Sequence, residues 1–138
     1  MRPAVVTGEL ATAMAFALVG STASETVDVA DELLFDVARI LQLPLRLLDR
    51  LEVEFYDSPT FSTADAAALG EEFALLAKSL AAEPQAAHRA WATRPPAFRS
   101  SVMTRPPDVD ALVAKIEALA RTCRDAAVHG GILKGLSD

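Results

Sequence analysis

Apolar residues return at helical spacing along most of the chain. Between Ser62 and Leu80, the residues Ala66, Leu69, Phe73, Leu76 and Leu80 step by three, four, three and four, which draws a narrow seam down one side of a helix. Ser62 or Thr63 suits the N-cap, and Ser62 with Asp65 has capping-box spacing, with Asp in place of the usual Glu or Gln. The preceding "DSP" breaks the chain, because the residue before Pro59 is disfavoured in the helical region. Val109, Leu112, Ile116, Leu119, Cys123 and Ala126 repeat the rhythm in a helix predicted from Asp108, its N-cap, to His129, with Gly130 and Gly131 as its stop. Two matching seams imply antiparallel helix packing.

Three further helices are predicted upstream. The first spans Thr7 to Val19, with Thr7 as N-cap and Gly20 as stop, and is apolar nearly all round. Such a helix belongs inside a bundle or against a copy of itself, so a homo-oligomer joined through it is one expectation. The same segment has the basic start, apolar run and small-residue "STA" of a signal peptide, but Glu9 interrupts the run and only Arg2 is basic, which favours a buried helix. A polar "STASET" loop leads to a second helix over Val27 to Gln42, with Leu33, Leu34, Val37, Ile40 and Leu41 on one side. A third begins after Pro44, carried by Leu45, Leu48 and Leu51. Its end is ambiguous: Leu51, Val53 and Phe55 alternate with Glu52 and Glu54 as in a strand, and a continuing helix is preferred because a lone strand leaves backbone groups unpaired.

A short helix after Pro84 carries His88 and Trp91, and "TRPP" then occurs at Thr93–Pro96 and Thr104–Pro107. Paired prolines favour extended backbone, so this stretch reads as a stiff connection. The tail "ILKGLSD" either tucks back through its apolar residues or is disordered.

Alanine and leucine dominate, and 51% of the 138 residues are hydrophobic against 23% charged. The predicted fold class is therefore all-α: a single domain over residues 1–138, a bundle of about five helices with the Pro/Arg-rich connection before the last. No apolar run reaches membrane-spanning length. The net charge of −6 disfavours nucleic acid and anionic membranes as partners. A lone Cys123 forms no internal disulfide and supplies no zinc cluster, which suits the cytoplasm.

Charge is unevenly spread. The first 57 residues hold ten acids against four bases, whereas Arg89, Arg94, Arg99 and Arg105 face only Glu83 in residues 83–107. Asp28, Glu32 and Asp36, with Asp31 at the edge, form an acidic stripe on the second helix, a candidate surface for a basic protein partner or simply a solvated face. Arg94, Arg99 and Arg105, with His88 and Trp91, are candidates to bind an anion or small ligand; alternatively the basic connection lies across the acidic helices of its own molecule. No Glu-x-x-His pattern, phosphate loop or nucleophile signature is present, so no catalytic residue, metal or cofactor is predicted. Cys123 sits on a seam and reads as packing. Glu71 and Glu72 point about 100° apart on their helix and read as a solvated edge. Gly70 beside them weakens a helix by about 1 kcal/mol, which suggests that another helix or a ligand approaches it closely.

The segments "SPTFSTADAAALGEEFALLAKSL" and "ALARTCRDAAVHGGILKGLSD" resemble a layout found in small cytosolic immunity proteins of bacterial polymorphic toxin systems. That resemblance implies a stoichiometric inhibitor that binds a toxin domain and catalyses nothing. The expectation from the sequence is a non-enzymatic protein-binding module with the acidic second and third helices as its surface. The alternatives are a helical bundle with a ligand or catalytic pocket near the Pro/Arg-rich connection, and a structural homo-oligomer.

Overall fold

The computed structural model describes residues 16–28, 30–55 and 57–137. Five α-helices and four strands are described: β1 (Phe16–Val19), β2 (Ser24–Val27), α1 (Leu33–Ile40), α2 (Arg46–Val53), β3 (Thr60–Phe61), α3 (Thr63–Ala82), α4 (Gln85–Ala92), α5 (Val109–Val128) and β4 (Leu133–Ser137). A 3-10 turn over Ala30–Glu32 leads into α1, and a π-helical turn over Phe98–Val102 separates α4 from α5.

The fold is α+β, which overturns the all-α expectation. The strands form one antiparallel sheet in the order β2-β1-β4-β3. Residues Phe16–Val19, predicted as the last turn of a helix, are strand β1; the rest of that helix, its signal-peptide alternative and the homo-oligomer contact through it lie outside the described residues. Half of the "STASET" loop is β2, the second helix is confined to Leu33–Ile40 after its 3-10 turn, and the tail expected to tuck back or be disordered is β4, next to β1. Four or five residues are too few for a period of two to stand out, and alanine in "FALV" favours helix. The partners also come from opposite ends of the chain: Phe16 pairs with Ser137 and Val19 with Lys134. No local window contains both halves of that pairing.

The sheet buries one face. Phe16, Leu18, Val27, Phe61 and Leu133 are almost fully buried, while Lys134 and Leu136 point the other way. Phe16 stacks on Phe55 with ring centroids 4.3 Å apart, and Phe35 meets the edge of Phe55 at 5.8 Å. These rings join the sheet to α1 and to the end of α2, in a cluster that continues through the helices. Helix α2 continues to Val53, as the helical reading of its end predicts, and Phe55 follows it in a turn.

The paired seams are where the spacing places them. Leu69, Phe73, Leu76 and Leu80 of α3 and Ile116, Leu119, Cys123 and Ala126 of α5 are buried to 1% exposure or less. Ser62 Oγ accepts the Asp65 amide, and Asp108 Oδ1 accepts the Ala111 amide, so each helix has its predicted N-cap. At the far end of α5, Gly130 adopts φ +67°, and the Gly131 amide reaches the Ala126 carbonyl at 2.8 Å. The two helices run antiparallel, since Thr63 Oγ1 donates to the Gly131 carbonyl while Gly70 faces Cys123. A Cβ on Gly70 would lie 3.2 Å from Cys123 Cβ and 3.3 Å from the Ala120 carbonyl oxygen. The glycine permits the close crossing that its place in the helix suggests.

Candidate functional site

The acidic stripe meets the Pro/Arg-rich connection at Asp36, which is answered there by Arg94. Arg94 follows α4, whose buried face of Ala86, Ala87 and Ala90 contributes to the same core as α1. This position brings Arg94 Nε to 2.8 Å from Asp36 Oδ2 as an ion pair, without the alignment of a hydrogen bond. Arg39 also pairs with Asp36, and its other terminal nitrogen contacts Glu52 on α2. Glu32 is half-buried with Oε2 shut away from solvent and without a hydrogen-bond partner. Burial pushes its carboxyl up to about 7, against the opposing field of Arg94. Part of the basic connection therefore does lie across acidic residues of its own molecule.

Asp28 and Asp31 face a different group. Asp31 Oδ2 accepts the Asp28 amide at 3.0 Å and lies 3.7 Å from Lys115 Nζ on α5. Lys115 also contacts Glu25 Oε2 and the Thr26 carbonyl, each at 2.9 Å, and so ties β2 to α5. Desolvation raises the Asp31 carboxyl above its ordinary value. For Lys115 desolvation acts downward, but the hydrogen bond to Glu25 and the nearby Asp31 carboxylate outweigh it and raise the ammonium. Beside this cluster is a cleft of about 220 Å³ lined by Asp28, Asp31, Asp108 and Lys115, with Met103, Pro107 and Leu112 among its apolar walls. Three carboxylates against one ammonium leave it acidic, and the exposed Asp28 is at its edge.

Two of the remaining candidates, Trp91 and Arg99, hold the connection in shape. Trp91 Nε1 donates to the Met103 carbonyl at 2.9 Å, and Arg99 Nε to the Arg94 carbonyl at 3.1 Å. The Arg99 guanidinium stands 5.9 Å from the Trp91 ring, and that of Arg94 5.0 Å from Phe98. His88 is exposed beside Trp91, with ring centroids 5.6 Å apart, and Arg105 is exposed on the connection. The first proline pair departs from the extended path expected of it: the Phe98 and Arg99 amides both bond back to the Pro95 carbonyl, so Pro95-Pro96 opens a helical turn.

Two residues that sequence reasoning left aside act at a distance along the chain. Glu72, read as part of a solvated edge, is half-buried and accepts the Leu47 and Leu48 amides at 3.2 and 2.8 Å, capping α2 from a neighbouring helix. Asp125 accepts the Thr22 amide and hydroxyl, each at 2.6 Å, and the Ala23 amide at 3.1 Å. These bonds hold its carboxyl down at about 2 and fasten the turn between β1 and β2 to α5. Local spacing carries no signal for either contact. Cys123 is buried on the seam, and desolvation pushes its thiol up to about 12, far from a thiolate nucleophile. Among the described residues no three His, Cys, Asp or Glu side chains are grouped to hold a metal ion, and no helix is long and apolar enough to cross a membrane.

Comparison of the chain with protein-family models, with curated proteins and with solved structures finds no match.

Proposed function

We propose that this chain is a non-enzymatic protein-binding domain, and that the cleft between β2, the Pro/Arg-rich connection and α5 receives a basic side chain of its partner. The observation that carries this reading is the cleft's composition: Asp28, Asp31 and Asp108 around apolar Met103, Pro107 and Leu112. An arginine or lysine needs both parts, an apolar wall for its aliphatic stem and carboxylates for its head. Lys115 offsets one of the three carboxylates and leaves charge for the incoming cation.

The acidic stripe proposed from sequence narrows accordingly. Asp36 is engaged by Arg39 and Arg94, Glu32 is turned inward and Asp31 is paired with Lys115, so the exposed Asp28 remains as the part of the stripe most open to a partner. Neutralisation of a toxin domain by surface occupation, as in immunity proteins, is one specific form of this function. The test is affinity capture from lysate with quantitative mass spectrometry, comparing the natural chain with Asp28→Lys. Reversal of this exposed charge is expected to reduce recovery of the specific partners by about tenfold, as for a close interfacial charge pair. Retention of the same partners at the same level would show that the cleft is not the binding surface.

A further inference from the structure

A second surface of opposite sign lies along α3 and α5. Here the two helices border a groove of about 460 Å³ lined by Ala74, Ala77, Lys78, Ala81, Glu117, Ala120, Arg121 and Arg124. The residues of α5 that border it, 117, 121 and 124, lie roughly opposite 108, 111 and 115, which border the acidic cleft, at about 100° per residue.

Its unpaired cations are gathered on one surface. Several cations of the helices and the connection are answered by carboxylates: Arg39 by Asp36 and Glu52, Arg50 by Glu54 and Asp65, Arg94 by Asp36, and Lys115 by Glu25 and Asp31. Lys78, Arg121 and Arg124 are exposed and take part in none of the ion pairs of the described residues, although they share the groove with Glu117. Three unpaired cations gathered against one acid make a basic island in a chain of net charge −6.

The floor has a second property. Ala74, Ala77 and Ala81 follow one another at helical spacing on α3, and Ala120 faces them from α5. Alanines leave a hollow between two helices into which a third helix can settle at close packing distance. A small apolar floor edged by arginine and lysine is complementary to an amphipathic helix whose apolar stripe is flanked by carboxylates.

We infer that the α3/α5 groove docks an acidic amphipathic helix of a partner protein, seated on Ala74, Ala77, Ala81 and Ala120 and held by Lys78, Arg121 and Arg124. This site is separate from the acidic cleft and stands whether or not the cleft receives a basic side chain.

The test uses the full chain and a fluorescein-labelled peptide of about 20 residues, long enough to form a helix alone, with an Ala/Leu stripe flanked by glutamates. The control peptide carries lysine for every glutamate. Fluorescence anisotropy should show binding of the acidic peptide only, weakening several-fold as salt rises from roughly 50 to 200 mM. The methyl resonances of Ala74, Ala77, Ala81 and Ala120 should shift on titration. A Lys78→Glu/Arg121→Glu variant should lose at least about tenfold in affinity, and Lys78→Gln/Arg121→Gln should fall between it and the natural chain, with thermal melts checking that both are folded. Asp28→Lys should bind the acidic peptide as the natural chain does, which separates this site from the cleft. Absence of acidic-peptide binding, equal binding by the charge-reversed variant, or methyl shifts confined to other residues would overturn the proposal. So would light scattering that shows a dimer which Lys78→Glu/Arg121→Glu dissolves, because a second copy of the chain would then occupy the groove.

Discussion

The α3/α5 pair and the four-stranded sheet bury comparable side chains but are specified in different ways. The helices carry their own instructions: each has a seam, an N-cap three residues from the amide it satisfies, and in α5 a glycine stop. The sheet depends on agreement between distant segments. Its neighbouring strands β1 and β4 come from residues 16–19 and 133–137, and the turn beside them is fastened by Asp125 from α5. Elements with local instructions tolerate change outside their seam, whereas the sheet concentrates its dependence on a few long-range contacts.

The strongest test of this comparison is Phe16→Ala. It removes a ring that is 1% exposed and stacked on Phe55 between sheet and helices, and should cost about 3–5 kcal/mol in chemical denaturation. Because one core serves both regions, helix and sheet signals should still disappear in a single transition; loss of the sheet alone would divide the molecule into independent regions. The helical counterpart is Gly70→Val. Its added methyls meet Cys123 and the Ala120 backbone where even a Cβ lies at 3.2–3.3 Å, and about 1–3 kcal/mol of destabilisation is expected. An unchanged denaturation midpoint would mean that the crossing relaxes freely.

Smaller effects sharpen the contrast. Glu32→Gln should alter the pH dependence of stability. The Glu32 carboxyl is raised from 4.5 to about 7, so its stabilising contribution is fully present below 4.5 and is lost as pH rises through 7. After allowance for solvent screening, glutamine should remove about 1 kcal/mol of that loss, seen as a flatter melting profile between pH 4.5 and 7. A profile that keeps its slope would place the titration elsewhere. Glu72→Ala should cost about 1 kcal/mol by releasing the Leu47 and Leu48 amides, with faster hydrogen exchange at those two positions. Asp125→Asn should have the most local effect. The natural carboxyl sits near 2 rather than 3.8, so its contribution is present above 3.8 and lost as pH falls through about 2. In the variant, exchange at Thr22 and Ala23 should quicken at neutral pH, and unchanged protection would show that the turn holds itself.

For the candidate sites, the residue types were visible before their roles. The acidic stripe and basic connection are plain in the charge distribution, but nothing in that distribution says that Arg94 turns to Asp36 while Asp28 remains open at a cleft. Trp91 and Arg99, grouped by proximity as ligand candidates, are bonded to the backbone of their own connection. Lys78, Arg121 and Arg124 lie 43 and 46 residues apart across two helices. Only antiparallel packing assembles them into one basic groove.

By itself, the sequence determined α3 and α5, their N-caps, the stop at Gly130 and the close approach at Gly70, because each follows from interactions spanning a few residues or one turn. Only the tertiary structure decided that Phe16–Val19 is strand, that the tail is its partner, that Glu72 caps another helix, and which charges are left unpaired. Those outcomes depend on pairing energy between segments that local propensity does not register: "FALV" satisfies either a helix or a strand until β2 on one side and the distant β4 on the other supply the hydrogen bonds that choose.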